Sequence, residues 1–100
     1  RSVNISATPE FAGWLFALDA KGRAQVDDRL DRIRQHHHFG STRYLGDDLF
    51  ELKWESGRRV YYAIVVDRGG RIALMLLGGD KNGHKRDISR ARKILEREAP

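Results

Sequence analysis

The feature that most constrains the fold is a pair of strand patterns joined by a tight turn. Residues 49–54 read Leu-Phe-Glu-Leu-Lys-Trp and alternate strictly, so Phe50, Leu52 and Trp54 share one face of a strand. A Ser-Gly turn follows, and residues 58–67 return as Arg-Arg-Val-Tyr-Tyr-Ala-Ile-Val-Val-Asp. The pattern predicts two neighbouring antiparallel strands.

On the other face of this hairpin we expect two cations side by side. Lys53 points away from the apolar face of the first strand, as does Glu51. If the alternate apolar residues of the second strand face the core, Arg59 and Tyr61 face outward. Arg59 would then share Lys53's face on the adjacent strand, and the two could bind one anionic ligand.

The N-terminal part of the chain predicts a strand and a helical hairpin. Residues 3–6 suit a short strand, and Thr8 is placed to cap a first helix that opens with proline. A second helix is predicted from about Ala20 or Arg23 to His38, because apolar residues recur there at helical spacing.

The remaining segments predict a loop, a third core strand and a last helix. Residues 40–48 read as a loop, and residues 71–77 are apolar without alternation, as expected for a strand covered on both faces. Residues 78–85 read as a glycine-rich connection, and Asp87 is placed to cap a final helix. The order of elements predicts a single α+β domain over residues 1–100.

Composition and charge narrow the class of protein. A chain of 100 residues with 40% hydrophobic content and no cysteine favours one core, no disulfides and a reducing cytoplasm. Since no apolar run approaches the roughly 18 residues of a membrane span, we expect no membrane partner. The last twenty residues carry seven basic and three acidic side chains, which favours a polyanionic partner such as nucleic acid, although a solvated helix face would look the same.

Two motifs suggest a metal site and a nucleotide-binding loop, but their geometry disfavours both functions. The run His36 to His38 cannot converge on one metal ion, because consecutive helical residues point about 100° apart. Residues 78–85 contain glycines and cations, but they lack the order of a nucleotide-binding phosphate loop. We therefore expect neither a metal nor a small-molecule cofactor.

The residue inventory favours phosphoryl chemistry without a metal. The chain shows no carboxylate pair, no Ser-His-Asp arrangement and no metal-ligand spacing. RNA cleavage by its own 2′-hydroxyl needs only a base, positive charge at the phosphate and an acid. The candidate catalytic residues are Lys53, Arg59, Lys81 and His84. For His84 the alternative stays open that it is solvent-exposed and takes no part in the reaction. The candidate RNA-binding residues are Lys85, Arg86, Arg90 and Arg43.

The order of these elements resembles the RelE/ParE toxin superfamily, in its HigB-like branch of addiction-module killer proteins. The resemblance is carried by residues 50–53, 59–62 and 77–81, with Asp87 and Ile88 following, and extends over residues 11–95. It implies a RelE/ParE-like α+β fold, in which an N-terminal strand and a helical hairpin pack on a small twisted antiparallel sheet, followed by a C-terminal helix. It further implies a cytoplasmic toxin of a type II toxin–antitoxin pair, an endoribonuclease (mRNA interferase) acting on mRNA at the ribosome, and a HigA-like helix-turn-helix antitoxin as partner.

The same resemblance implies individual roles. Lys53 matches a catalytic lysine, Arg59 the arginine that binds the scissile phosphate, and Lys81 a basic residue that stabilises the transition state. Two departures stand out: no tyrosine follows Tyr62, so His84 would replace a C-terminal catalytic tyrosine, and Glu51 stands where RelE has a second lysine. A ParE-like gyrase poison and a noncatalytic nucleic-acid- or ribosome-binding module remain as alternatives, because fold alone does not separate them.

Overall fold

The computed structural model describes residues 3–98, which form five strands and three α-helices. In chain order these are β1 (Asn4–Ala7), α1 (Pro9–Ala17), α2 (Ala20–His36), β2 (Thr42–Gly46), β3 (Leu49–Lys53), β4 (Arg58–Asp67), β5 (Gly70–Asp80), a 3-10 turn (Lys81–Gly83) and α3 (His84–Glu98).

The strands form one sheet in the order β1-β5-β4-β3-β2. The predicted antiparallel strands β3, β4 and β5 lie at its centre. At one edge β1 pairs parallel with β5, and at the other edge β2 pairs antiparallel with β3. The α+β prediction is confirmed, and the sheet is mixed rather than purely antiparallel.

Helices cover both faces of the sheet. The face toward α1 and α2, here called the hairpin face, contains a cluster that joins Leu52, Val60 and Met75 to Phe11, Val26, Leu30 and Ile33. The opposite face, here called the α3 face, joins Tyr61, Leu74 and Leu76 to Ala91 and Ile94. Burial on both faces accounts for the unbroken apolar run of β5, since each buried Leu or Met contributes about 1.5–3 kcal/mol.

Side chains cap the N-terminus of each of the first two helices. Thr8 caps α1 as predicted: its hydroxyl accepts from Phe11 N (3.1 Å) and donates to Leu76 O (2.7 Å). Asp19 caps α2 by accepting from Gly22 N (2.7 Å). The helix ends at His36 rather than His38, because His37 adopts a left-handed conformation with φ of 57°.

The prediction of a loop over residues 40–48 is wrong. Most of that segment is strand β2, and Asp47 and Asp48 form the turn into β3 with φ values of 52° and 68°. Two consecutive residues with positive φ are what the type I′ turn of a two-residue β-hairpin loop requires. The sequence signal was weak because β2 is an edge strand with exposed polar positions.

The prediction for the end of the sheet also needs correction. Strand β5 extends to Asp80, so the Gly-Gly-Asp segment is strand and not loop. The Asp80 carboxylate accepts from Asn82 N (2.8 Å) and Gly83 N (3.3 Å), which caps the 3-10 turn. Helix α3 follows directly from His84, so Asp87 lies inside the helix and is not its cap.

Candidate functional site

Three central strands bring a row of residues together on the α3 face. Lys53 lies opposite Arg59 across β3 and β4, and Arg59 lies opposite Gly79 across β4 and β5. Directly opposed residues of antiparallel strands share one face, with Cβ atoms about 5 Å apart. The two cations therefore lie side by side, as the alternation predicted.

A buried carboxylate lies beside this row. Glu51 is two residues before Lys53 on the same strand, and it is fully buried. Its Oε1 atom lies 2.8 Å from His84 Nε2 and 3.8 Å from Arg59 Nε. Its Oε2 atom lies 2.9 Å from Arg43 Nε, an ion pair whose angles do not make a hydrogen bond. A buried carboxylate is tolerated only with such partners.

The strands and the 3-10 turn place the partners of Glu51. Arg43 lies directly opposite Glu51 in the edge strand β2, which the sequence did not predict. His84 is the first residue of α3, and the Asp80-capped turn carries it back over the sheet. The four side chains of Arg43, Glu51, Arg59 and His84 are hereafter called the Glu51 cluster.

The contact with Glu51 fixes the chemistry of the His84 ring. The oxygens of an ionised carboxylate only accept hydrogen bonds, so with Glu51 ionised the Nε2–H group of His84 donates the hydrogen bond to Glu51 Oε1. In the neutral imidazole the Nδ1 atom is then unprotonated and available as a base. The His84 side chain is 28% exposed and Glu51 is 1% exposed, so His84 is the member of the pair that a substrate can contact.

Arg59 is held rigidly at the same place. Its side chain is 16% exposed, and its Nη1 donates to the carbonyl oxygen of Arg58 (3.0 Å). Arg59 Nε is buried and makes no hydrogen bond to the described residues. The exposed part of the guanidinium is therefore the part that can bind an anionic ligand, with charge-assisted hydrogen bonds.

The prediction that Tyr61 faces solvent together with Arg59 is wrong. Tyr61 lies on the expected face, opposite Glu51 and Leu77, but it is fully buried because α3 packs over it. Its hydroxyl has no hydrogen-bond partner among residues 3–98. Burial, with the negative charges of Asp87 and Glu51, raises the pKa of Tyr61 far above its usual range, so the phenol remains protonated.

The two candidate lysines lie at the same end of the sheet. Lys53 is half-buried beside Arg59, and Lys81 is exposed in the 3-10 turn. The stem of Lys81 lies over Gly57, where an added Cβ would be 3.2 Å from Lys81 Cδ. Gly57 also has φ of 101°, which favours glycine. Neither lysine forms an ion pair with a described side chain, so both ammonium groups are available to a ligand.

The candidate RNA-binding residues fall in two places. Arg43 belongs to the Glu51 cluster, and its side chain is 52% exposed. Lys85, Arg86 and Arg90 are exposed on α3, and none of the three pairs with an acidic side chain in the described part of the chain. They form a basic surface that begins beside His84.

The two consecutive glycines of β5 have a packing role. A Cβ on Gly78 would lie 2.1 Å from Trp14 Cδ2 on the hairpin face, and a Cβ on Gly79 would lie 2.1 Å from Asp87 Oδ2 on the α3 face. Burial raises the pKa of Asp87 above its ordinary value. The pair Gly78-Gly79 therefore admits a side chain on each face of the strand and does not form a phosphate-binding loop.

Two further readings of the sequence can be placed on the structure. Among the side chains that the structure describes, no three His, Asp or Glu are grouped as metal ligands, and the run from His36 crosses the end of α2. None of the described helices is long and apolar enough to span a membrane.

Solved structures define the class of fold. A variant of Escherichia coli toxin RelE with two arginines replaced by alanine, in the free state, superposes with a TM-score of 0.71 at 17% identity, covering 93% of this chain and 97% of that one. The E. coli RelBE toxin–antitoxin complex matches with a TM-score of 0.63 at 16% identity, covering 79% of this chain and 96% of the matched chain. The fold is that of the RelE toxin.

Sequence comparison gives the family. Residues 13–98 match the family described as phage derived protein Gp49-like (DUF891). An uncharacterized protein of Haemophilus influenzae is 31% identical over 96 residues, covering 95% of each chain. The chain belongs to the Gp49-like family, which is a family of RelE/ParE-type toxins.

The residue that sequence reasoning undervalued is Glu51. In the sequence it stands out only as the loss of a lysine, whereas in the structure it contacts three of the candidate residues. The available signal was an acidic side chain in an alternating strand, on the same face as Lys53. Its contact with His84 spans 33 positions and could not be predicted from spacing.

Proposed function

We propose that this protein is the toxin of a type II toxin–antitoxin pair and that it is an endoribonuclease which cuts mRNA at the ribosome. Membership of the Gp49-like family and the RelE fold support the toxin assignment. The observation that carries the enzymatic assignment is the hydrogen bond from His84 to the buried Glu51, made beside Arg59 and Lys53. RNA transesterification requires a base, positive charge at the phosphate and an acid, and His84, the pair Arg59 and Lys53, and Lys81 are our candidates for these roles.

We propose a reaction in which the Glu51 cluster acts together with Lys53 and Lys81. The 2′-oxygen attacks the adjacent phosphorus, its proton passes to His84 Nδ1, and the bond from phosphorus to the 5′-oxygen breaks. Arg59 and Lys53 bind the phosphate and neutralise the charge that develops on it. The departing 5′-oxygen takes a proton from the Lys81 ammonium. The products are a 2′,3′-cyclic phosphate and a 5′-hydroxyl, and none of these steps requires a metal ion.

Glu51 acts through His84 and not on the RNA. Its side chain is 1% exposed, so a 2′-hydroxyl cannot approach it without displacing its partners. It holds the imidazole in one tautomer and stabilises the imidazolium that forms when His84 takes the proton. We therefore assign Glu51 as a positioning residue, and the loss of a lysine at this place is matched by the gain of an oriented histidine.

We propose two kinds of partner for this toxin, RNA and an antitoxin protein. The exposed basic residues Lys85, Arg86 and Arg90 extend the cationic surface from the cluster along α3, which suits the phosphates of mRNA and ribosomal RNA. Since RelE of E. coli forms a toxin–antitoxin complex, RelBE, we propose a cognate antitoxin here too, of the HigA-like helix-turn-helix type. The reaction would take place in the cytoplasm.

The deciding experiment is primer extension on an mRNA in a purified translation system. We expect wild-type protein to cut the message only when ribosomes are present, and Arg59→Ala to lower cleavage roughly 100-fold or more. The matched control is Arg58→Ala, which removes the same charge one residue earlier. Arg58 donates to Gln25 Oε1 (2.9 Å) on the hairpin face, so its loss should leave cleavage within about twofold of wild type.

The outcomes separate the classes of function. Equal loss of activity in both arginine variants would indicate a general effect of charge and would contradict the proposed site. An intact message with wild-type protein would favour the gyrase-poison reading, for which DNA cleavage by gyrase is the next assay. Loss of cleavage in excess EDTA, with the ribosomes kept intact by added polyamine, would contradict a mechanism that needs no metal.

A further inference from the structure

The edge strand β2 presents two neighbouring residues to opposite faces of the sheet. Arg43 lies opposite Glu51 and belongs to the Glu51 cluster on the α3 face. Tyr44 lies opposite Phe50 and therefore points to the hairpin face. Because β2 is the last strand of the sheet, only one strand of backbone separates the cluster from the Tyr44 ring.

Tyr44 is an exposed aromatic ring that is nevertheless fixed in place. It is 57% exposed, one of three large apolar side chains with high exposure in the described part of the chain. Its ring packs against Phe50 with centroids 5.0 Å apart, and Phe50 in turn stacks on Tyr62 at 5.3 Å. Its hydroxyl accepts from Asp48 N (3.2 Å). A ring held at its base and at its hydroxyl loses little further freedom when a ligand stacks on it.

We propose that Tyr44 stacks a nucleobase of the RNA next to the phosphate that the Glu51 cluster cleaves, and so helps to set where the message is cut. This inference rests on the proposed ribonuclease function. The RNA strand would pass over the edge of the sheet, with its cleaved phosphate on the α3 face and a flanking base on the hairpin face. Aromatic stacking accepts any base, so the preference arises from stacking strength.

The charges around β2 favour this path over a protein partner at Tyr44. Arg43 is the cation next to the ring, and it faces the cluster, so the anionic backbone is drawn to that side. The turn on the other side of Tyr44 carries Asp47, whose charge is paired with Arg92 (3.7 Å), and Asp48, whose carboxylate repels phosphate. An uncharged base is the part of a nucleotide that can lie there, and the surface is continuous with the proposed active site.

The test uses ribosomes programmed with an mRNA that carries 2-aminopurine beside the cleaved position and a 2′-deoxy sugar at it, so that the message stays intact. The cut position is first mapped with wild-type protein on ordinary mRNA. We expect wild-type protein to quench the probe fluorescence on binding, Tyr44→Phe to quench it equally, and Tyr44→Ala to lose at least half of the quenching. On cleavable mRNA, Tyr44→Ala should raise KM roughly 5- to 100-fold, the range produced by losing one stacked base, and change kcat little.

Phe16→Ala is the matched control, because Phe16 is an 80% exposed ring on α1, far from β2 in the chain. It should leave both the quenching and the cut positions unchanged. Undiminished quenching and an unchanged KM in a folded Tyr44→Ala protein would overturn this inference while leaving the ribonuclease proposal intact. The same result together with lost antitoxin binding would assign Tyr44 to a protein interface. If the wild-type protein cuts no RNA, the proposed function fails and this inference fails with it.

Discussion

His84 Nε2 lies 2.8 Å from Glu51 Oε1, so the first residue of the last helix is hydrogen-bonded to the central strand β3. This bond does two things. It gives the buried Glu51 carboxylate a hydrogen-bond donor, and it fixes the start of α3 over the sheet, beside Arg59. The structural role of the pair is therefore coupled to its proposed catalytic role, and experiments on it must separate loss of activity from loss of fold.

Substitution of Glu51 by glutamine separates loss of activity from loss of fold. Glu51→Gln keeps an oxygen that can accept from His84 Nε2 but removes the charge that stabilises the imidazolium. We expect kcat to fall roughly 10- to 100-fold with KM nearly unchanged, because the phosphate-binding cations remain. Steady-state cleavage of programmed ribosomes measures both constants, and circular dichroism verifies the fold. A rise in KM with unchanged kcat would show that Glu51 organises RNA binding instead.

Local sequence patterns were sufficient to predict the central hairpin. The alternation from Phe50 to Trp54 gave the faces of β3, and the tight turn gave its antiparallel neighbour, so the adjacency of Lys53 and Arg59 could be predicted. These features depend on the two-residue period of a strand and on one turn, both of which are local.

The remainder of the site depends on contacts between distant segments. Strand β2 is a short edge strand whose first three residues, Thr42, Arg43 and Tyr44, are exposed, so no alternation of apolar and polar residues marks it. Tyr61 was expected to be outward because alternation assigns one face to solvent, whereas α3 covers that face. The contact of His84 with Glu51 requires the path of the chain through β5 and the 3-10 turn, which no local pattern specifies.

The consecutive glycines of β5 give a prediction about packing. Gly78→Ala would place a methyl group 2.1 Å from the Trp14 ring, so Trp14 or α1 must move. We expect a loss of about 1–3 kcal/mol in the free energy of unfolding, measured with urea. Gly13→Ala is the control, since nothing lies within 4 Å of the added methyl and the helix gains up to about 1 kcal/mol. Equal effects at the two positions would contradict the close contact of Trp14 with β5.

Thr8 connects the start of α1 to strand β5, and its substitution should lower the free energy of unfolding. Thr8→Ala removes the cap of Phe11 N and leaves the buried Leu76 carbonyl without that donor. We expect about 2 kcal/mol of destabilisation, within the range for lost caps. Thr8→Ser keeps the hydroxyl and should recover at least half of the loss. Chemical denaturation compares the three proteins, and a Ser variant as unstable as the Ala variant would show that the methyl group of Thr8 matters more than its hydrogen bonds.

An ion pair between α1 and α3 should make the stability of the protein depend on pH in the acidic range. Arg97 donates two hydrogen bonds to the Glu10 carboxylate, at 2.6 and 2.9 Å, and these bonds lower the Glu10 pKa from 4.5 to about 2. A carboxyl group whose pKa is depressed by folding stabilises the protein above its unfolded value and loses that stabilisation as the pH falls through the folded value. We therefore expect Glu10→Gln to lower Tm at pH 7 and the two proteins to converge between about pH 4.5 and pH 2. Thermal unfolding measured across that range, with exposed Glu55→Gln as control, would refute the pairing if the difference in Tm did not change with pH.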